Sequence, residues 1–454
     1  MEVDTEIRAR WVLPVAPDET VALPHYSVIV NDARILDVLP SQEASEKYSP
    51  KELVDRSKSI VLPGLINAHT HSGMSIMRGR ADDQPLLEWL HNIWPIEGAV
   101  ACEEEFCEDG ALLAAAEMIR GGVTCFSDMY FFPDAGAKAA IRAGMRAVIG
   151  IVFLMFPSGY AASLEDYLRK GEEIRKHFKD EPLIHFTYAP HAPYTVPPST
   201  WMQLKALSKE NSVPIHTHLH ETKDECTSSR VLDRTNPACH LSDEMCHPLE
   251  DLNRKGILGP NFVGAHMVHL TDEEIDICAE KGVHVAHCPT SNAKLASGFC
   301  RIDKLLRAGV NVALGTDSAC SNNSLDMIAE MKMAALVAKN VAGDPTVMPA
   351  YMALRMATIN GAKAFGIDHI TGSLEVGKSA DLISIDIETH PGNFPVYDPH
   401  SAVVYAASRE DVEDVMIAGK FVLKEKTHCT LDLHDVLRRA DYWRTRINKQ
   451  FPLN

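Results

Sequence analysis

The eleven cysteines contain no C-x-x-C pair and follow no disulfide spacing, which suits a reducing compartment better than a disulfide framework. Positive charge is also scarce. Against 62 Asp and Glu stand 44 Lys and Arg, a net charge of −18. Nucleic-acid binding rests on neutralising phosphates, so a nucleic-acid partner is not expected, nor is long-range attraction of a polyanionic substrate. No apolar run approaches the roughly 20 residues of a membrane span. The first residues, MEVDTEIRARWVLP, lack the basic start and apolar core of a secretory signal. The expectation is a cytoplasmic protein with no membrane partner. What remains is an ordinary globular composition, 46% hydrophobic and 23% charged, over 454 residues that can bury a large core.

The most informative stretch is VLPGLINAHTHSG, residues 61–73. An apolar run interrupted by Pro63-Gly64 delivers His69 and His71. Side chains two apart on a strand point the same way, so both imidazoles can converge on one point. Imidazole nitrogen is a common ligand for zinc-like metals.

Residues 1–60 alternate in a β pattern around Ile7–Trp11, Val28–Val30 and Arg34–Leu39. From residue 61 short apolar runs alternate with helical patterns. The predicted strands are Val61–Ala68, Cys125–Met129, Ala147–Phe153, Leu183–Tyr188, Pro214–Leu219, Phe262–His266, Val283–His287 and Asn311–Gly315. Eight such units over about 250 residues have the size of a TIM-type barrel, whose chemistry sits at the C-terminal ends of its strands. Ser324–Asn340 and Pro349–Phe365 read as closing helices. Strand patterns return at Leu382–Ile385 and Val415–Val422, with Gly372, Gly377 and Gly419 as turns. The expected class is therefore α/β, a (β/α)8 barrel over 61–370. Residues 1–60 and 371–430 form a second, small discontinuous β-sandwich domain, and 431–454 form a terminal surface helix.

The strand ends supply the chemistry. The first gives His69 and His71, and the fifth gives His216, His218, His220 and Glu221. The sixth gives His266 and His269, the eighth Asp317. A hydrolytic zinc site needs three or four nitrogen or oxygen ligands and a position for water. His69, His71, His218 and Asp317 meet that need, with His216 as the alternative ligand if the register differs.

PGLINAHTH, HLHET, GAHMVHL and LGTDSACSNN together resemble the amidohydrolase superfamily. RGRADDQPLLEWL, IWPIE, DMYFFP, YAPHAPYTV and SNAKLASG narrow the resemblance. They are similar to the 5′-methylthioadenosine/S-adenosylhomocysteine deaminases, within the group that also holds triazine hydrolases. The resemblance implies one divalent metal per subunit on His69, His71, His218 and Asp317, zinc by default, with iron, nickel or manganese also suited. It makes Glu221 the proton shuttle and His266 and Asp317 its catalytic companions. Glu97 and His191, with Glu221, would contact a small-molecule nucleoside, Glu97 at the ribose hydroxyls. A homo-oligomer, dimer or tetramer, is implied as well. Strand four carries neither the Lys nor the Glu of binuclear relatives, so one metal is expected.

The implied reaction is hydrolytic deamination at adenine C6. Glu221 takes a proton from water and gives it to ring N1, and ammonia leaves. The cytidine-deaminase design, which needs P-C-x-x-C, is excluded. Relatives that take S-adenosylhomocysteine are expected to hold its carboxylate with arginines at and just after the third strand. Here Ile151 stands in the first such place, and Phe153, Leu154, Met155 and Phe156 follow. An apolar wall favours 5′-methylthioadenosine, with adenosine a slower substrate. Two alternatives stay open: an aminohydrolase or chlorohydrolase of another heterocycle (guanine, pterin or triazine), and a non-enzymatic scaffold. Residues 223–251, with Cys226, Cys239, His240, Cys246 and His247, match no specific zinc pattern and read as a polar loop at the rim of the site.

Overall fold

The computed structural model of the protein describes residues 1–227 and 247–452. Eight parallel strands follow one another in chain order around a barrel. They are Leu65–Thr70, Val123–Asp128, Arg146–Phe153, Ile184–Pro190, Ile215–Leu219, Phe262–His266, His284–His287 and Asn311–Leu314. Helices cover the outer face of the ring, and the strands' own inward side chains fill its interior. The first and last strands close the ring at their C-terminal ends. Asn67 accepts from Thr316 N at 3.0 Å and donates to Thr316 Oγ1 at 2.8 Å, and Asp317 N donates to His69 O at 2.9 Å. That approach needs Gly315, where a Cβ would lie 2.8 Å from the His69 backbone nitrogen.

The second body is a mixed nine-stranded sheet drawn from both chain ends. Its organising strand is Ser49–Pro63, which pairs parallel with Glu2–Val12 and antiparallel with Leu382–Asp386. The sheet curls, so Val28, Val30 and Val54 share one core with Leu382 and Met416. A buried ion pair, Arg146 Nε to Asp381 Oδ2 at 2.9 Å, joins this body to the N-terminal end of the barrel. Among the described residues no helix is long and apolar enough to cross a membrane.

Several local expectations change. The run 61–68 is two strands, not one, because Gly64 is pressed against the Thr124 side chain and Pro63 still belongs to the outer sheet. Residues 415–422 extend into a hairpin, Val412–Ile417 and Lys420–Lys424, which turns at Ala418 and at Gly419, the expected turn residue, with φ +47° and +73°. Pro349–Phe365 is two helices, Ala350–Met356 and Ile359–Ala364, broken where Thr358 Oγ1 turns back to Leu354 O at 2.7 Å. A helix not anticipated, Leu86–Val100, crosses the mouth of the barrel with Pro95 inside it. The terminal helix Leu433–Gln450 lies on the surface and is anchored by one face, where Trp443 is fully buried and donates to Asp109 at 2.8 Å. Of the Cys/His segment, Cys239, His240 and Cys246 lie outside the described residues.

Candidate metal centre and active site

Strand geometry brings the distant candidates together. His69 and His71 leave the first strand, His218 the fifth, His266 the sixth, and Asp317 follows the eighth. Ligand atoms of His69, His71 and Asp317 lie within 4.8 Å of one another, as do those of His69, His218 and His266. Asp317 Oδ1 stands 3.2 Å from His71 Nε2 and 3.6 Å from His69 Nε2. His220, His266 and Asp317 all have positive φ, +52°, +68° and +62°. Such backbone strain in non-glycine residues clusters where function holds it in place.

The donor set fits a divalent cation. His71 Nδ1 donates to Met129 O at 2.6 Å and His218 Nδ1 to His191 O at 2.7 Å. In neutral rings these bonds leave lone pairs on both Nε2 atoms, and the two Nε2 atoms lie 3.2 Å apart. His69 Nε2 is buried without a hydrogen-bond partner. The other carboxylate oxygen, Asp317 Oδ2, accepts from the Ser291 and Ser321 hydroxyls at 2.6 and 2.7 Å. Only Oδ1 is left for the centre. Three imidazoles and one carboxylate oxygen match a hydrolytic metal site.

The electrostatics agree. Burial pushes His69 down to about 4. Burial also opposes charge on His71, yet the Asp317 carboxylate raises it to about 9. Burial raises Glu221, whose carboxylate reaches within 3.9 Å of His266 Nε2. Burial would lower His266, but Glu221 and Asp317 outweigh it and raise it.

The other histidines divide clearly. His216 lies behind His69, its Nε2 3.1 Å from His69 Nδ1, and reaches on to Ser127 at 3.3 Å. That contact orients a candidate ligand, as outer partners of metal-binding histidines do. His220 turns outward, accepting from Leu249 N at 3.2 Å. His269 donates to Ser297 O at 2.6 Å. Several supporting groups were not singled out by sequence reasoning: Ser291, Asn292, Ser321 and Asp128. Asn292 Oδ1 holds His266 Nδ1 at 2.9 Å, and Asp128 accepts from Ser72 N at 2.7 Å just after His71. Ser291 and Asn292 lie within SNAKLASG, but a serine and an amide carry no spacing signature of their own.

A cavity of about 310 Å³ opens from the cluster. His71, His191, His218, Glu221, His266 and Asp317 line its polar part, and Glu97 faces it from the crossing helix. Burial raises the Glu97 carboxyl. His191 is lowered to about 3 by burial and then by His71 and His69. Its Nδ1 is 2.9 Å from Thr195 Oγ1. The apolar part is made by Leu86, Trp89, Ile93, Trp94, Leu154 and Phe156. Ile151 does not face this cavity. It packs outward on Gly171, where a Cβ would lie 2.0 Å from Ile151 Cγ2. Its identity therefore says nothing about a carboxylate subsite. Among the described residues no lysine or arginine lines the cavity.

The pattern of the amidohydrolase family matches residues 60–422. A 5-methylthioadenosine/S-adenosylhomocysteine deaminase of Teredinibacter turnerae is 41% identical over 446 residues, covering 98% of each chain. A 5′-deoxyadenosine deaminase of Methanothermobacter thermautotrophicus is 41% identical, covering 88% of this chain and 89% of its own. Among solved structures, an adenosine deaminase from Xanthomonas campestris with bound zinc superposes with a TM-score of 0.94 at 41% identity, over 99% of each chain.

Proposed function

The chain belongs to the amidohydrolase family, and we propose that it is a metal-dependent deaminase of adenine nucleosides. On this reading it hydrolyses 5′-methylthioadenosine to 5′-methylthioinosine and ammonia, with adenosine and S-adenosylhomocysteine as lesser substrates. The relatives' names support the substrate class. The observation that carries the chemistry is the convergence of His69, His71, His218 and Asp317, with a buried carboxyl, Glu221, beside them.

Those four residues would hold one divalent cation, zinc by our reading, which the zinc in the Xanthomonas neighbour supports. When bound, such a cation supplies Lewis acidity that makes a neighbouring water a nucleophile near neutral pH. Glu221 takes a proton from the water and delivers it to purine N1, which draws electron density from C6. The water oxygen then adds at C6. His266, fixed through Asn292, hydrogen-bonds the adding oxygen, and Asp317 accepts its remaining proton. Asp317 passes that proton on to the C6 amine, which leaves as ammonia as the C6 carbonyl forms. Acid–base help of this kind contributes about 10²–10⁴-fold. Glu97 holds the ribose hydroxyls, and His191 contacts the nucleoside from the fourth strand.

The test is ammonia release together with the ultraviolet change from adenine to hypoxanthine, over a panel of adenine nucleosides and free heterocycles. Turnover of nucleosides with loss in Glu221→Gln is expected. No ammonia from any adenine nucleoside, with metal loaded, would sink the proposal.

A further inference from the structure

Past the fifth strand the chain turns sharply at His220, whose φ of +52° lies in the left-handed region. Successive N–H groups in such a turn point into one concavity. Here all of them end on a single side chain. Glu225 Oε2 accepts from His220 N at 3.1 Å, and Oε1 accepts from Glu221 N at 3.0 Å and Thr222 N at 3.2 Å. Glu225 is buried, and among the described residues no lysine or arginine pairs with it. A carboxylate in that position is costly unless its hydrogen bonds are complete. Burial and then the neighbouring Glu221 charge push Glu225 up to about 7. Surface solvation does not explain such a group, and Glu225 does not line the cavity.

We propose that Glu225 is a positioning residue, which fixes the backbone of residues 220–222 so that the Glu221 carboxyl stays within reach of both proton partners. This rests on Glu221 being the proton carrier. His218 is oriented separately, through His191 O. Loss of Glu225 is therefore felt at Glu221 and not at the metal ligands. Two oxygens are needed to receive three N–H groups. Glutamine has one acceptor oxygen and would set an N–H against the His220 N–H.

The experiment uses the full-length, metal-loaded protein. It measures kcat, KM and metal content for Glu225→Gln, Glu225→Ala, Glu221→Gln and the double variant Glu221→Gln/Glu225→Gln. Misplacing a reacting group by about 1 Å costs up to about 10²-fold. Glu225→Gln should lose about 10- to 100-fold in kcat, with KM within about threefold and full metal content. The double variant should be no slower than Glu221→Gln alone, because both act through one group. Wild-type kcat in Glu225→Gln, losses that multiply in the double variant, or parallel loss of metal would overturn the proposal. If Glu225→Ala does not fold, the near-isosteric Gln variant decides. Unchanged kcat in Glu221→Gln would instead refute the proton-carrier reading, a separate failure.

Discussion

The Nε2 atoms of His71 and His218 face each other at 3.2 Å while both Nδ1 atoms are committed to backbone carbonyls. Without a cation the pair shares at most one proton, whereas a cation engages both nitrogens at once. Metal removal should therefore weaken the fold as well as stop turnover. A ligand at about 1,000 times its Kd adds about 4 kcal/mol. Thermal unfolding with and without chelator should show a clear fall in Tm, restored by added zinc. His218→Ala should abolish that dependence. An unchanged Tm after complete chelation would argue against a cation at this place.

Gly110 tests how the first strand's loop is supported. It lies in the helix Glu104–Arg120, and a Cβ there would sit 2.3 Å from the Gly73 carbonyl oxygen, two residues after His71. Alanine favours a helix interior over glycine by about 1 kcal/mol. A clash against backbone cannot relax by side-chain rotation, so the clash should win. Gly110→Ala is expected to lower both Tm and bound metal, read by calorimetry and metal analysis. A raised Tm with full metal would mean the turn shifts at no cost.

Glu330 sets a pH dependence of stability. It is buried near the Asp317 turn, accepting from Asn322 Nδ2 at 2.7 Å and Thr290 N at 3.2 Å. Burial raises it from 4.5 to about 7. Between those values the folded chain keeps a proton that the unfolded chain has lost. Stability from this group is therefore complete below the unfolded value and lost as pH rises through 7. The shift corresponds to something on the order of 3 kcal/mol. In urea titrations, wild-type stability should decline relative to Glu330→Gln from pH 4.5 to 8. A difference that stays flat across that window would show that Glu330 remains ionised.

Strand ends and their histidines were readable because period two puts His69 and His71 on one side and because parallel barrels place chemistry at one end. The facing of residues within the apolar strands was not readable. Both faces of a parallel strand are buried, so no alternation marks them. Along one run, Val152 and Leu154 face the cavity while Ile151 packs outward on Gly171. The helix Leu86–Val100 was hidden by Pro95 within it, although its Glu97 had been singled out. Gly64 was legible as a turn residue but not as the boundary between two sheets, since its contact, Thr124, lies 60 residues on.

The cavity wall supports a preference among 5′ substituents. Leu86, Trp89, Ile93, Trp94, Leu154 and Phe156 supply apolar surface, and the acidic groups there are Glu97, Glu221 and Asp317. A methylthio group loses little on entering such a wall. A zwitterionic amino-acid tail must shed water from its carboxylate with no described cation to receive it. Each 1.4 kcal/mol of that cost is a tenfold loss. The kcat/KM for 5′-methylthioadenosine should therefore exceed that for S-adenosylhomocysteine by at least about tenfold. Glu97→Gln should raise KM for nucleosides by about tenfold or more, since a hydrogen bond to a charged group is worth about 1.5–3 kcal/mol. Initial rates on both thio-nucleosides and on adenosine, with wild type and variant, check both statements together. Equal turnover of the two thio-nucleosides would place a cationic partner for the tail outside the lining described here. An unchanged KM in the variant would remove Glu97 from the ribose and favour a free base.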